Sequence, residues 1–298
     1  MNAPEKLKQL DRTTEDVGNI VHLEHFNCII DDQRFAQLFY IVGLGATRDP
    51  YIFPGMENIW LNFGRTQVHM PSRAEPPRFE VLRGTAGFVV PSLDDLARRL
   101  EHAGKEMDRV VGSRRNFSFS KKAGCVEATD PWGTRVRCHA PAPEFGPTEL
   151  GLAYVDFDVP PGTAEGIARF YNEIMKAPAK AAKGRTSVSV GKHQKLHFTE
   201  TKKPLPDYDG HHVQIYIADF SSPYAWLRER GLVTMETDAH EWRFQWIVDP
   251  KDGKKLFQVE HEVRSMKHPL FNRPLVNRNH AITNTGYVAG HDAFRGTY

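Results

Sequence analysis

Gly210-His211-His212-Val213-Gln214-Ile215-Tyr216-Ile217-Ala218-Asp219-Phe220 decides how this chain is read, because polar and apolar residues alternate through it before a helix-like segment begins. A period of two marks a strand with two unlike faces. Val213, Ile215 and Ile217 share the face expected to pack on a helix, while His212, Gln214 and Tyr216 point together from the other. A sheet face this polar meets either bulk water or a cleft, and the rest of the chain favours the cleft.

Working outward, the same order of strand, helix and several strands occurs four times. Val21 to Ile30 reads as a strand with Phe26, Cys28 and Ile30 on one face and His25 and Asn27 on the other. Asp31-Asp32 can cap the helix that follows, which Gly43 ends, and strands are expected at Asn58 to Phe63 and Thr66 to Met70. The second unit opens at Gly84 to Pro91, continues as an amphipathic helix from Leu93 to Ala103 stopped by Gly104, and closes with strands between Arg109 and His139. A third unit runs from Leu152 to Thr199, and a fourth begins at His212 and ends near Val263. The internal repeat is roughly 60 to 65 residues long. The Pro-rich stretch Ala140 to Pro147 interrupts all periodicity. We therefore expect an arm over residues 1–18, a first domain over 19–142, a linker over 143–149, a second domain over 150–265 and an extended tail over 266–298 that wraps the body or a neighbouring subunit.

The 298 residues carry 39 basic and 37 acidic side chains, a formal charge of +2, so no global electrostatic argument points to nucleic acid or to a membrane surface. No apolar run approaches the roughly 18 residues of a membrane span. The polar start, Met1 to Asp16, has no secretory apolar region, so a cytoplasmic protein is expected. Cys28, Cys125 and Cys138 are an odd set without close pairing, which fits inert thiols in a reducing compartment. No Gly-rich phosphate loop or nucleophile elbow is present.

Four βαβββ units in two pairs, with a DPxG-type turn at Asp130-Pro131-Trp132-Gly133, resemble the vicinal oxygen chelate superfamily: glyoxalase I, the fosfomycin and bleomycin resistance proteins and the extradiol dioxygenases. The resemblance covers about residues 20–265, and its four-unit length is similar to the extradiol type. It implies an α+β fold in which each pair of units curves a sheet around a cleft with helices outside. It also implies a divalent metal in that cleft.

By the extradiol pattern, ligands come from a His on the opening strand of the third unit, a His on the opening strand of the fourth and a Glu on the last strand. His212 stands five residues before Ile217, the family spacing. On the last strand Gln258, Glu260 and Glu262 face the cleft, and Glu260 is the expected carboxylate. The third position departs from the pattern, because Tyr154 stands five residues before Val159. Asp156 shares the Tyr154 face and His197 reaches the same cleft, so a site of His212, Glu260 and Asp156 or His197 is expected. The other reading is a hydrogen-bonded polar cluster that binds an organic ligand directly. An alternative first-domain site comprises His25, His69 and His139, although Thr85 and Arg137 stand where that site needs ligands.

The resemblance implies a metal-dependent enzyme acting on a small oxygenated, catechol-like substrate, with Tyr154 or His197 moving protons. Ring cleavage implies Fe(II) or Mn(II); glyoxalase-like isomerase or lyase chemistry implies Zn or Ni. A metal-free small-molecule binding protein of the bleomycin resistance type is the competing expectation, and a homodimer is left open.

Overall fold

The computed structural model describes residues 12–52, 58–73, 76, 78–279 and 281–291. The four repeats are present as α+β modules. The first contains β1 (Ile20–Asn27), β2 (Thr47–Arg48), β3 (Asn58–Phe63) and β4 (Thr66–Pro71), with helix α1 (Gln33–Ala36) running on as π-type turns to Gly43. The second contains β5 (Gly84–Val89), α2 (Leu93–Val110), β6 (Ser118–Lys122), β7 (Cys125–Thr129) and β8 (Arg135–His139). The third contains β9 (Gly151–Val159), α3 (Ala164–Arg169, continued to Ile174), β10 (Ala179–Ala182), β11 (Arg185–Ser189) and β12 (Lys195–Glu200). The fourth contains β13 (His212–Ile217), α4 (Ser221–Glu229), β14 (Val233–Thr237), β15 (Glu241–Val248) and β16 (Lys255–Ser265).

Local chemistry explains the element ends. Asp32 is extended and its carboxylate accepts the Arg34 N–H, which caps α1; Ser92 caps α2 by accepting from Asp95 N–H. Asp130 Oδ1 accepts the N–H groups of Trp132, Gly133 and Thr134, and Gly133 at φ 115° completes that turn. Gly104 does not stop α2, which continues to Val110. A Cβ there would come within 2.9 Å of the Phe117 ring, so this glycine serves close packing instead.

Two eight-stranded sheets result, ordered β14-β15-β16-β13-β1-β4-β3-β2 and β10-β11-β12-β9-β5-β8-β7-β6. The first module therefore shares a sheet with the fourth, and the second with the third. This corrects the expectation that consecutive modules share a cleft. Every opening strand leaves one edge to be paired, and four near-identical alternation patterns do not specify which edges meet. In the structure β1 runs antiparallel to β13, and β5 antiparallel to β9.

The two sheets are joined by one continuous apolar core. Phe26 and Phe63 of the first sheet meet Phe88 of the second at 6.3 and 4.6 Å between ring centroids, and Phe257 meets Phe157 at 5.7 Å. Each sheet thus turns its polar face away from the core. Cys28 and Cys138 are buried in this core as free thiols, and burial pushes both up from the ordinary thiol range. No described helix is long and apolar enough to cross a membrane.

Part of the tail returns across the polar face of the first sheet. Arg273 donates twice to Asp49, at 2.7 and 2.6 Å, and Tyr51 donates to the Val276 carbonyl. Leu270 packs with Trp60 and Ile52. His280 lies outside the described residues.

Candidate metal centre

Strand register lays the polar face of the first sheet out in rows. One row reads Trp60, His69, Asn27, His212, Glu260 from β3 to β16. The next reads Asn62, Gln67, His25, Gln214, Glu262, Arg243 from β3 to β15. His25, His212 and Glu262 converge there from three strands, with one donor atom of each within 4.8 Å of the others. All three are buried. No other group of three potential ligands this close occurs among the described residues.

A second layer of carboxylates aims the two imidazoles. Glu24 Oε2 lies 3.3 Å from His25 Nδ1, and Glu260 Oε1 lies 3.7 Å from His212 Nδ1. The Nδ1–H of His25 facing Glu24 leaves its Nε2 as the free lone pair, the tautomer that a metal ligand needs, whereas Glu260 stands beyond hydrogen-bond reach of His212 Nδ1. His25 Nε2 and His212 Nε2 are both buried without a hydrogen-bond partner, and the latter lies 3.3 Å from Glu262 Oε2. Glu262 is held by Arg243 at 2.7 Å and by Arg264.

Electrostatics fit a cation. Glu24, Glu241, Glu260 and Glu262 share only Arg243 and Arg264, which leaves two negative charges in excess when all four acids are ionised. Burial raises Glu262, but the Arg264 guanidinium and the His212 contact outweigh it and hold the carboxyl well below its ordinary range. Burial pushes His25 down, against the pull of Glu24, and so favours the neutral imidazole. A divalent ion would balance the excess charge and satisfy the two orphaned nitrogens.

His69 occupies the fourth inward position but is engaged at both nitrogens. Asn27 Nδ2 approaches Nδ1 at 2.7 Å and Asn58 Oδ1 approaches Nε2 at 2.8 Å. Its ring stacks on Trp60 at 3.9 Å between centroids. Burial, then His25 and His212, hold its basicity far below the ordinary value.

Of the residues expected from sequence, His212 and Glu260 lie at this centre, with Glu260 beside His212 and bonded to Arg243 and Gln245 at 2.9 and 3.1 Å. Glu262 stands closer to both histidines, one register row further on. His25 and His69 join His212 in the same cleft, not in a separate one. Asp156, Tyr154, His197 and His139 belong to the second sheet. There Asp156 is bound by Thr199 at 2.7 Å and Arg185 at 2.9 Å, and Tyr154 lies 2.9 Å from His139 Nε2. Tyr154 and His197 therefore do not serve the His212 site. Sequence reading missed Glu24, Arg243 and Arg264. A bulge in β1 turns Glu24 to the polar face out of alternation, so periodicity carried no sign of it.

No family model matches the sequence, and no curated protein matches it. Solved structures do. Glyoxalase I from Zea mays is 16% identical over 81% of this chain and 92% of that one, with a TM-score of 0.56. A putative dioxygenase from Bacillus subtilis is 13% identical over 83% and 86%, with a TM-score of 0.54. The chain has the vicinal oxygen chelate fold. At these identities the likeness fixes the fold alone, and the chemistry has to be argued from the site.

Proposed function

We propose that the chain is a divalent-metal-dependent enzyme of the vicinal oxygen chelate type, acting on a small oxygenated substrate of catechol-like character in the manner of a dioxygenase. The observation that carries this reading is the buried His25, His212 and Glu262 group, around which four carboxylates share two guanidiniums. Two imidazoles and one carboxylate are the protein donor set of non-haem Fe(II) oxygenases. His69 supports the count of three, since both of its nitrogens are already taken. When bound, the metal would supply Lewis-acid polarisation of adjacent substrate oxygens and a docking point for O₂.

The chain's own residues do the rest. Glu24 fixes the tautomer of His25, Glu260 places a carboxylate beside His212, and Arg243 and Arg264 orient Glu262. Tail residues Leu270, Phe271 and Arg273 line a cavity of about 180 Å³ together with Glu24 and Gln67, beside the centre and not lined by His25, His212 or Glu262.

Elemental analysis of protein purified anaerobically without a metal-binding tag tests this reading. Near-stoichiometric iron or manganese, lost in His25→Ala, His212→Ala and Glu262→Gln, is the expected result. Zinc or nickel lost in the same variants would shift the chemistry to isomerase or lyase reactions that need no O₂. No metal in the parent protein would leave metal-free binding of small molecules as the better account.

A further inference from the structure

The last strand of the fourth module, β16, carries Glu260 and Glu262 at alternate positions, level with His212 and Gln214 of its opening strand. The last strand of the second module, β8, carries Arg135 and Arg137 at the same spacing, level with Thr85 and Gly87. One plan therefore holds acids in the first sheet and guanidiniums in the second. Alternate residues of a strand share a face roughly 7 Å apart, so both guanidiniums stand on one side of the sheet. A cavity of about 460 Å³ opens there, on β5, β6, β7 and β8. The two guanidiniums and one carboxylate, Glu127, line it, a charge opposite to that of the metal centre. Hydroxyls complete the lining: Thr85 from β5, Ser118 and Ser120 from β6 and Thr129 from β7, none of them hydrogen-bonded to another described residue. Both guanidiniums are held in place. Arg135 donates from Nε to the Gly84 carbonyl at 3.0 Å and from Nη2 to Asp158, and Arg137 donates from Nε and Nη2 to Glu127 Oε1 at 3.2 and 2.7 Å. Each carries more N–H donors than these contacts use.

We infer that this cavity is a second binding site, which takes the phosphate group of a small monoester without a metal. Its donors come from four strands: guanidinium N–H groups from β8 and hydroxyls from β5, β6 and β7. The one carboxylate among them, Glu127, is already engaged by Arg137. A phosphate monoester is a tetrahedral dianion with three strong acceptor oxygens, which meet donors arriving from several directions, and arginine pairs with it through parallel bonds. A carboxylate has two oxygens in one plane and cannot face all four strands at once. The volume lies within the roughly 300 to 1,000 Å³ of small-molecule sites and leaves room beside the phosphate for an organic group. Neither arginine belongs to the metal centre, so this site stands independently of the reaction proposed there.

The test is isothermal titration calorimetry of the full chain with phenyl phosphate, benzoate and inorganic phosphate, in buffer free of phosphate and sulfate. We expect one equivalent of phenyl phosphate to bind, about 10-fold or more tighter than either of the other two. Arg135→Gln and Arg137→Gln should each weaken it roughly 10- to 100-fold, the range for a hydrogen bond to a charged group. Thr85→Val keeps shape and charge, and should weaken it about 10-fold without unpairing any acid. His212→Ala should leave it unchanged. Both arginines are exposed, so their variants should fold; circular dichroism checks this, and Thr85→Val carries the test if they do not. No binding of phenyl phosphate, or affinity unchanged in the arginine and threonine variants, would overturn the inference. Binding lost in His212→Ala would overturn it too, by placing the anion on the metal centre. Benzoate bound as tightly would overturn the choice of phosphate, and inorganic phosphate bound as tightly would overturn the choice of an ester.

Discussion

The two sheets of this protein share one backbone plan and differ in what stands on it. In the first sheet the central rows carry Gln67, His25, Gln214 and Glu262, then His69, Asn27, His212 and Glu260. Equivalent rows in the second carry Arg135, Thr85, Asp156 and His197, then Arg137, Gly87, Tyr154 and Lys195. Where the first sheet has two imidazoles and a carboxylate, the second has a hydroxyl, a phenol and a single imidazole. The charge accounts differ in the same way. Arg135 pairs with Asp158, Arg137 with Glu127 and Arg185 with Asp156, so the second sheet balances its acids one for one. The first sheet keeps more carboxylates than guanidiniums around two imidazoles, where the second has one. The fold is therefore neutral about chemistry, and the imbalance locates it.

The sharpest way to break this contrast is to remove a donor from each sheet. His25→Ala, His212→Ala and Glu262→Gln should each abolish stoichiometric metal binding, whereas Thr85→Ala, Tyr154→Phe and His197→Ala should leave it unchanged. Metal analysis of dialysed protein reads the outcome. Loss of metal in a second-sheet variant would show that the contrast has been drawn in the wrong place.

Next in size is the tail. Asp49 and Arg273 form a buried pair that ties the tail to the first sheet, and Asp49 also accepts from the Tyr51 and Ile52 N–H groups and from Gln67. Arg273→Ala strands that carboxylate and should cost about 3 to 5 kcal/mol in urea or thermal unfolding. The second sheet has no comparable strap among the described residues. A loss well under 1 kcal/mol would mean that the pair is not buried in solution.

Glu24→Gln and Glu260→Gln sharpen the comparison at the second layer. Both preserve shape but remove a carboxylate beside a ligand imidazole; losing a hydrogen-bonded partner such as Glu24 typically lowers metal affinity about 10- to 100-fold, and Glu260, at 3.7 Å, should have the smaller effect. Competition with a chromophoric chelator measures it. Glu127→Gln, in the other sheet, serves as the control and should leave affinity unchanged.

Much of this architecture was readable from alternation. The four modules, the opening strands and the inward faces of His212, Gln214, His25, His69, Glu260 and Glu262 follow from a period of two. What alternation does not contain is which edges join. Consecutive pairing puts His25 and His212 in different clefts and brings Asp156 to His212; the observed pairing reverses both. The choice between Glu260 and Glu262 had the same origin, because both face inward and only the register against β13 sets Glu262 level with Gln214 and His25. Glu24 was invisible for another reason, since its direction depends on a bulge that one strand's sequence does not announce.

The smallest predicted effect is absent at neutral pH and belongs to the quiet sheet. His197 is largely buried on β12, with Tyr154 at 5.6 Å between centroids and Arg185, Lys195 and Asp156 on neighbouring positions. Burial, then Arg185 and Lys195, push its pKa down to about 4 from the ordinary 6.5. A histidine depressed in the folded state binds fewer protons than in the unfolded chain between those two values. Stability therefore falls as pH drops from about 6.5 towards 4 and levels off below. His197→Gln should flatten that part of the stability profile, measured by urea unfolding at stepped pH, and leave metal content at pH 7 unaltered. The same acid step persisting in the variant would assign it to another group. A change in metal content would instead join the second sheet to the centre built on the first, against the independence that their separate rows and balanced charges require.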